Sequence, residues 1–253
     1  MTACEHLWDR PPAELTLLRD EVHVWCASLD MTSPHIRRLQ ATLSADELER
    51  ASRFHFAKDR RRFIVARGVL RSLLGRYLGV EPRQLCFSYG AYGKPALVPT
   101  SGGARLCFNV SHSHELALYA VTYGREIGVD VEHIRTNIAC EEIAERFFSA
   151  QERALLRTLP AHLTHDAFFH CWTRKEAYIK ARGEGLSLPL DQFDVEFAPG
   201  EPAALLATRW APHEASCWEL RELTPGPGYA AALAVGGHGW RLSYWQWPQE
   251  GLR

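Results

Sequence analysis

Two helix-opening signatures and two helix-closing glycines recur at nearly the same distance along this chain. Ser44-Ala45-Asp46-Glu47 and Ser149-Ala150-Gln151-Glu152 stand 105 residues apart, and Gly79 and Gly183, each ending a long amphipathic run, stand 104 apart. A Ser N-cap followed three residues later by Glu satisfies two backbone N–H groups at a helix start, and Gly tolerates the left-handed conformation that ends one. Shared punctuation in both halves of 253 residues points to an ancient duplication. The predicted fold is α+β, two similar lobes related by a pseudo-twofold axis, with the first spanning 1–125 and the second 126–253. A cleft between them is the expected ligand site.

Periodicity fills in the halves. The first has a strand near 22–29, a helix opened by Ser44, a long helix 58–78, and strands near 84–88, 106–110 and 114–123, with turn-rich Gly90–Pro95 and Pro99–Gly103 between them. The second repeats the order: strand 127–132, a helix from about 139, the helix opened by Ser149, a long helix 165–182, then strands 192–197, 216–222, 229–235 and 241–247.

Composition removes several function classes. A formal charge of −1 argues against a generally basic nucleic-acid binder, yet residues 50–71 carry eight cations against Asp59 alone, a local basic face suited to a solvated surface or to phosphate. Hydrophobic residues make up 46% of the chain, enough for a core, and no stretch reaches membrane-span length. Seven scattered cysteines with no C-x-x-C pair, and an N-terminus with no apolar leader, predict reduced thiols and a cytoplasmic address.

The densest chemistry lies in Trp172-Thr-Arg-Lys-Glu-Ala-Tyr-Ile-Lys180. At 3.6 residues per turn, Trp172, Glu176 and Lys180 form one stripe. In Gly128-Val-Asp-Val-Glu132 the strand period of two sends Asp130 and Glu132 to one face and both valines to the other, and Gly128 permits close backbone approach. Three carboxylates meeting at one point would repel, by about 4 kcal/mol for two charges ~4 Å apart at an effective dielectric near 20. A hard divalent cation removes that conflict, and it favours phosphoryl chemistry, in which Lys180 stabilises the leaving oxygen. The bland alternatives are a solvated Asp-x-Glu face and an ordinary i, i+4 Glu-Lys pair.

A second polar cluster, Phe108-Asn-Val-Ser-His-Ser-His114, ends a predicted strand. His112-x-His114 is half a zinc site with no third soft ligand near it, and Ser111 lacks a nucleophile elbow. A hydroxyl and an imidazole on a turn also donate well to phosphate oxygens, and ordinary loop polarity stays open.

Together, Gly93-Lys94-Pro95, Phe108–Ser113, Gly128–Glu132, Arg146-Phe-Phe-Ser-Ala-Gln-Glu152 and Trp172–Lys180 resemble the 4′-phosphopantetheinyl transferases of the surfactin-synthetase-activating type. The resemblance covers about residues 40–200 and runs on into Gly183–Pro189. It implies a Mg²⁺-dependent monomer, with Mn²⁺ as a substitute ion, that moves phosphopantetheine from coenzyme A to a serine of an apo acyl or peptidyl carrier protein. Adenosine 3′,5′-bisphosphate is released. By the same resemblance Asp130, Glu132 and Glu176 hold the metal, Glu176 is the base for the carrier serine, and Lys180 serves the departing phosphate. Ser111 and His112 meet coenzyme A phosphates, Lys94 lies beside the adenine, and Arg50 and Arg62 reach the 3′-phosphate. Glu47 stands where a basic residue is expected, Glu152 is shared between a family motif and a helix cap, and Trp172 packs at the site's edge. The rival readings are a non-catalytic coenzyme A or carrier-binding module and a Mg²⁺-dependent pyrophosphate hydrolase; no Walker loop supports a standard nucleotide fold.

Overall fold

Continuous burial along the central strands explains the architecture. In a computed structural model, which describes residues 8–98 and 105–248, β1 (Glu21–Ser28) and the later β5 (Leu116–Tyr123) are buried on both faces. One face of each, with Trp25, Ala27, Ala117, Tyr119 and Val121, meets a helical layer. The other, with Val22, Val24, Cys26, Leu118 and Ala120, meets a second sheet. Strands covered on both sides read as continuous apolar runs, as these do.

In the first lobe, α1 (Ser33–Gln40), α2 (Ala45–Ser52) and α3 (Ala57–Leu78) precede the short hairpin β2 (Phe87–Tyr89) and β3 (Pro95–Leu97). Then β4 (Leu106–Ser113) returns antiparallel to β5. The second lobe opens with β6 (Ile127–His133), followed by α4 (Cys140–Phe147), α5 (Ala150–Thr158) and α6 (Ala161–Arg182). The pair β7 (Phe193–Glu196) and β8 (Ala204–Thr208) precedes β9 (Trp218–Leu223), β10 (Tyr229–Gly236) and β11 (Arg241–Gln246). The two main sheets run β11-β1-β5-β4 and β6-β10-β9. The order through the molecule is helices, sheet, sheet, helices, with α3 packed on one sheet and α6 on the other.

The lobes match as the sequence predicts. Both α3 and α6 have 22 residues, and Gly79 (φ +64°) and Gly183 (φ +74°) end them in the left-handed conformation. Behind each capping box the carboxylate has a second task. Glu47 accepts from Arg71 Nε at 2.5 Å and from Arg67; Glu152 accepts from Lys175 Nζ at 2.8 Å and from Val195 N at 2.9 Å. Glu47, Arg71, Glu152 and Lys175 are all buried. Glu47 is therefore an internal counter-ion for α3, and Arg67 and Arg71 turn inward rather than extending the basic face.

The structure departs from the sequence reading in five places. The expected division at 125/126 has an exception, because β11 pairs in parallel with β1 and joins the first lobe's sheet. Helix α1, opened by Thr32 with Pro34 in its first turn, was not predicted, nor was β8; the strand expected at 84–88 lies at 87–89, after a turn of 3₁₀ helix at Pro82–Gln84. Residues 114–115 form the turn before β5 rather than its start. The Pro99–Gly103 turn and Cys4 lie outside the described residues. Cys26, Cys86, Cys107, Cys140, Cys171 and Cys217 are free thiols.

Candidate active site

The site forms where α6 crosses β6 beside β4. A Cβ on Gly128 would stand 2.1 Å from Ala177 O and 2.3 Å from Ala181 N, so only glycine lets the α6 backbone rest on the strand. Across β10 the facing residues are small as well: Ala230 is opposite Glu132 and Ala232 opposite Asp130. Valines 129 and 131 go to the inter-sheet core, which leaves Asp130 and Glu132 on the α6 side.

On α6, residues 173–175 and 177–179 are buried, whereas Trp172, Glu176 and Lys180 are partly open. That is the predicted stripe. Trp172 packs edge-on against Phe147 at 5.7 Å and stacks on Phe168 at 6.2 Å, so its role is packing beside the site.

Strand β4 supplies the other wall through side chains. Asn109 Oδ1 accepts from Val129 N at 2.9 Å, Ser111 Oγ from Val131 N at 3.3 Å, and Ser113 Oγ from His133 N at 3.0 Å. Three polar side chains at strand spacing thus satisfy the outer edge of β6, whose N–H groups would otherwise be orphaned. Asn109 and Ser113 were not among the predicted site residues. The signal for them is the period-two polar run 109, 111, 113, set against apolar Phe108 and Val110.

Ser111 and Lys180 then converge on Asp130. Its Oδ1 accepts from Ser111 Oγ at 2.8 Å and from Lys180 Nζ at 2.5 Å, while Lys180 also donates to Ser111 Oγ at 2.9 Å. The other oxygen, Asp130 Oδ2, is buried without a hydrogen-bond partner. Glu132 Oε2 accepts from Ser113 Oγ at 2.9 Å. Burial first, and Asp130 second, raise the Glu132 carboxyl above its usual value. Glu176 is raised to about 7 by burial, then by Asp130 and Glu132, with Lys180 opposing. Three mutually repelling carboxylates against one ammonium form an electrostatically unsatisfied set.

Among the described residues, no three acidic, His or Cys side chains are already drawn into a metal-holding geometry. Asp130 is paired with Lys180. The donor set still fits a hard cation: it is all carboxylate, it shares excess negative charge, and one of its buried oxygens is orphaned.

The remaining predicted residues have partners of their own. His112 is open at the rim, yet partial loss of hydration and the Lys180 and Arg62 charges hold its imidazole below the usual value. Arg62 pairs with Asp30 at 3.2 Å and Glu115 at 3.3 Å. Arg50 is exposed, with its guanidinium 5.3 Å from the Phe63 ring centre. Lys94 spans the lobes, donating to Ile127 O at 3.1 Å and Ala181 O at 2.8 Å. Its ammonium therefore serves as a strut, on the edge of a pocket of about 380 Å³ lined also by Arg105, Arg125, Glu126 and Arg182. Glu152 sits with its buried partners, fully hydrogen-bonded, as cap and counter-ion.

Residues 126–234 match the 4′-phosphopantetheinyl transferase superfamily, and residues 30–123 the 4′-phosphopantetheinyl transferase N-terminal family. The chain is 46% identical over 96% of its length, and 99% of the relative's, to 4′-phosphopantetheinyl transferase HetI of Nostoc sp.. The chain belongs to this family. Other 4′-phosphopantetheinyl transferases resemble it less closely: Sfp of Bacillus subtilis is 32% identical over 78% of this chain and 84% of its own. The human L-aminoadipate-semialdehyde dehydrogenase-phosphopantetheinyl transferase is 27% identical over 62% and 54%. As a 4′-phosphopantetheinyl transferase the chain is an enzyme that delivers phosphopantetheine to carrier proteins. None of its described helices is long and apolar enough to cross a membrane.

Proposed function

We propose that this 4′-phosphopantetheinyl transferase takes the phosphopantetheine arm from coenzyme A and attaches it to a serine of an apo acyl or peptidyl carrier protein. The observation that carries the reading is the crossing of β4, β6 and α6, where Asp130, Glu132, Glu176, Lys180 and Ser111 meet in one cleft wall. Asp130, Glu132 and Glu176 would hold Mg²⁺, or Mn²⁺ in its place. When bound, the ion supplies neutralisation of the pyrophosphate oxygens.

This chain's residues do the rest. The serine oxygen attacks the phosphorus that bears the pantetheine arm, forming the new P–O bond, and the P–O bond to adenosine 3′,5′-bisphosphate breaks. Glu176, held near neutral pKa, accepts the serine proton, and Lys180 meets the charge on the departing oxygen. Ser111 positions both Asp130 and Lys180. His112, Arg62 and Arg50 would meet the coenzyme A phosphates, and the pocket beside Lys94 is of a size for the nucleoside. Both walls of the cleft come from one chain, which supports a monomer, and the free thiols support a cytoplasmic location.

Substituting Asp130→Ala or Glu176→Ala tests the assignment. Each variant is expected to keep the wild-type circular dichroism spectrum and to lose roughly 10²- to 10⁴-fold in Mg²⁺-dependent transfer to an apo carrier. Wild-type turnover in either variant would remove that residue from the site. Incubation with coenzyme A alone separates a hydrolase, which would cleave it without a carrier present.

A further inference from the structure

His114 is the sole non-glycine residue with positive φ among the described residues, at +52°. It is the first of the two residues, His114 and Glu115, that turn β4 into β5, since Ser113 faces Leu116 across the hairpin. Positive φ at the first loop position alone is the II′ pattern, where glycine is the favoured residue. A side chain kept there against backbone strain invites a functional explanation.

The ring's contacts supply one. His114 stacks on His133 of the other lobe, with centroids 4.7 Å apart and planes at 25°. His133 in turn meets the Tyr229 ring edge at 5.0 Å, and Tyr229 Oη accepts from Glu115 N at 3.4 Å. One residue before the stack, Ser113 Oγ both accepts from His133 N and donates to Glu132 Oε2. The Ser113–Glu115 turn therefore grips the end of β6 at Glu132 itself and at the residue that follows it.

That grip opposes a definite force. Asp130, two residues away on the same face, repels Glu132, and Ser113 is the one described side chain that hydrogen-bonds the Glu132 carboxylate. The geometry points to the Ser113–His114–Glu115 turn as a positioning clamp for Glu132: Ser113 orients the carboxylate, and the His114–His133 stack fixes the strand end that carries it. The inference rests on the reading of Glu132 as a metal-holding residue. Outer partners of metal ligands commonly command 10- to 100-fold in metal affinity.

Mg²⁺ titration by calorimetry, with a parallel melting curve, tests the clamp on wild type, His114→Gly, His114→Phe and Ser113→Ala. His114→Gly removes both the strain and the stack. It is expected to melt at or above the wild-type temperature while binding Mg²⁺ about tenfold more weakly. His114→Phe retains a stacking ring and is expected to recover most of that affinity. Ser113→Ala is expected to weaken Mg²⁺ by at least about tenfold. Unchanged affinity in His114→Gly and Ser113→Ala, with wild type binding normally, overturns the clamp and leaves the metal reading standing. A drop in melting temperature that tracks the affinity loss, without rescue by phenylalanine, also overturns it in favour of plain packing. Absence of Mg²⁺ binding in wild type overturns the metal reading and the clamp with it.

Discussion

Glu176 concentrates the chemistry at the scale of single residues. Its folded-state pKa of about 7 exceeds the ordinary 4.5 because burial and Asp130 disfavour its charge. For a raised carboxylate, the folded protein binds the proton more tightly than the unfolded chain does. The associated stability is full below about pH 4.5 and is lost as pH rises through about 7. Glu176→Gln should therefore raise the melting temperature of the metal-free protein at pH 8, by a few degrees for a gain of the order of 1 kcal/mol. The difference should shrink toward pH 5, which melting curves at the two pH values would reveal. Metal must displace the same proton, so apparent Mg²⁺ affinity of the wild type should strengthen from pH 6 to pH 8 and flatten above it; a calorimetric pH series measures this. For Lys180→Ala the expected result is a fall in kcat of roughly 10²-fold with a smaller change in coenzyme A affinity, because its charge matters most as the bond breaks. An affinity defect alone would assign Lys180 to binding.

Elements matter here through how closely they approach. Gly128 is the contact point of β6 and α6, and what a Cβ would strike there is helix backbone, which cannot swing aside as a side chain can. Gly128→Ala should cost at least about 2 kcal/mol of stability and displace Glu176 and Lys180 from Asp130, with turnover falling more than stability alone explains. Denaturant melts and kinetics on the same variant separate the two. The stripe Trp172, Glu176, Lys180 and the alternation Val129, Asp130, Val131, Glu132 were legible beforehand because helix and strand periods are local properties. The ladder 109, 111, 113 was half legible: the period stood in the sequence, but its partner, the edge of β6, is set by tertiary packing. The same limit explains Lys94, whose two acceptors are Ile127 O and Ala181 O, backbone atoms that no motif names.

At the scale of the whole molecule, each lobe carries a buried brace, Glu47 with Arg71 and Glu152 with Lys175. The capping boxes disclosed the carboxylates; the cations, each more than twenty residues on, needed the fold. Lys175→Met would leave Glu152 charged and buried without its partner, at a cost of about 3–5 kcal/mol, whereas Lys175→Met with Glu152→Gln should recover much of that. Denaturant unfolding of both variants measures the difference. The second lobe brings Asp130, Glu132, Glu176 and Lys180 to the candidate site, and the first brings Ser111, Ser113 and His112. The return of β11 to the first sheet ties the lobes together, a parallel pairing across almost the whole sequence that periodicity cannot disclose. The most direct test is the mass of an apo carrier protein incubated with this chain, coenzyme A and Mg²⁺. The carrier serine should gain the phosphopantetheine arm, with adenosine 3′,5′-bisphosphate released in equal amount, and a chelator should stop the gain. An unmodified carrier beside cleaved coenzyme A, or full transfer in the presence of chelator, would contradict it.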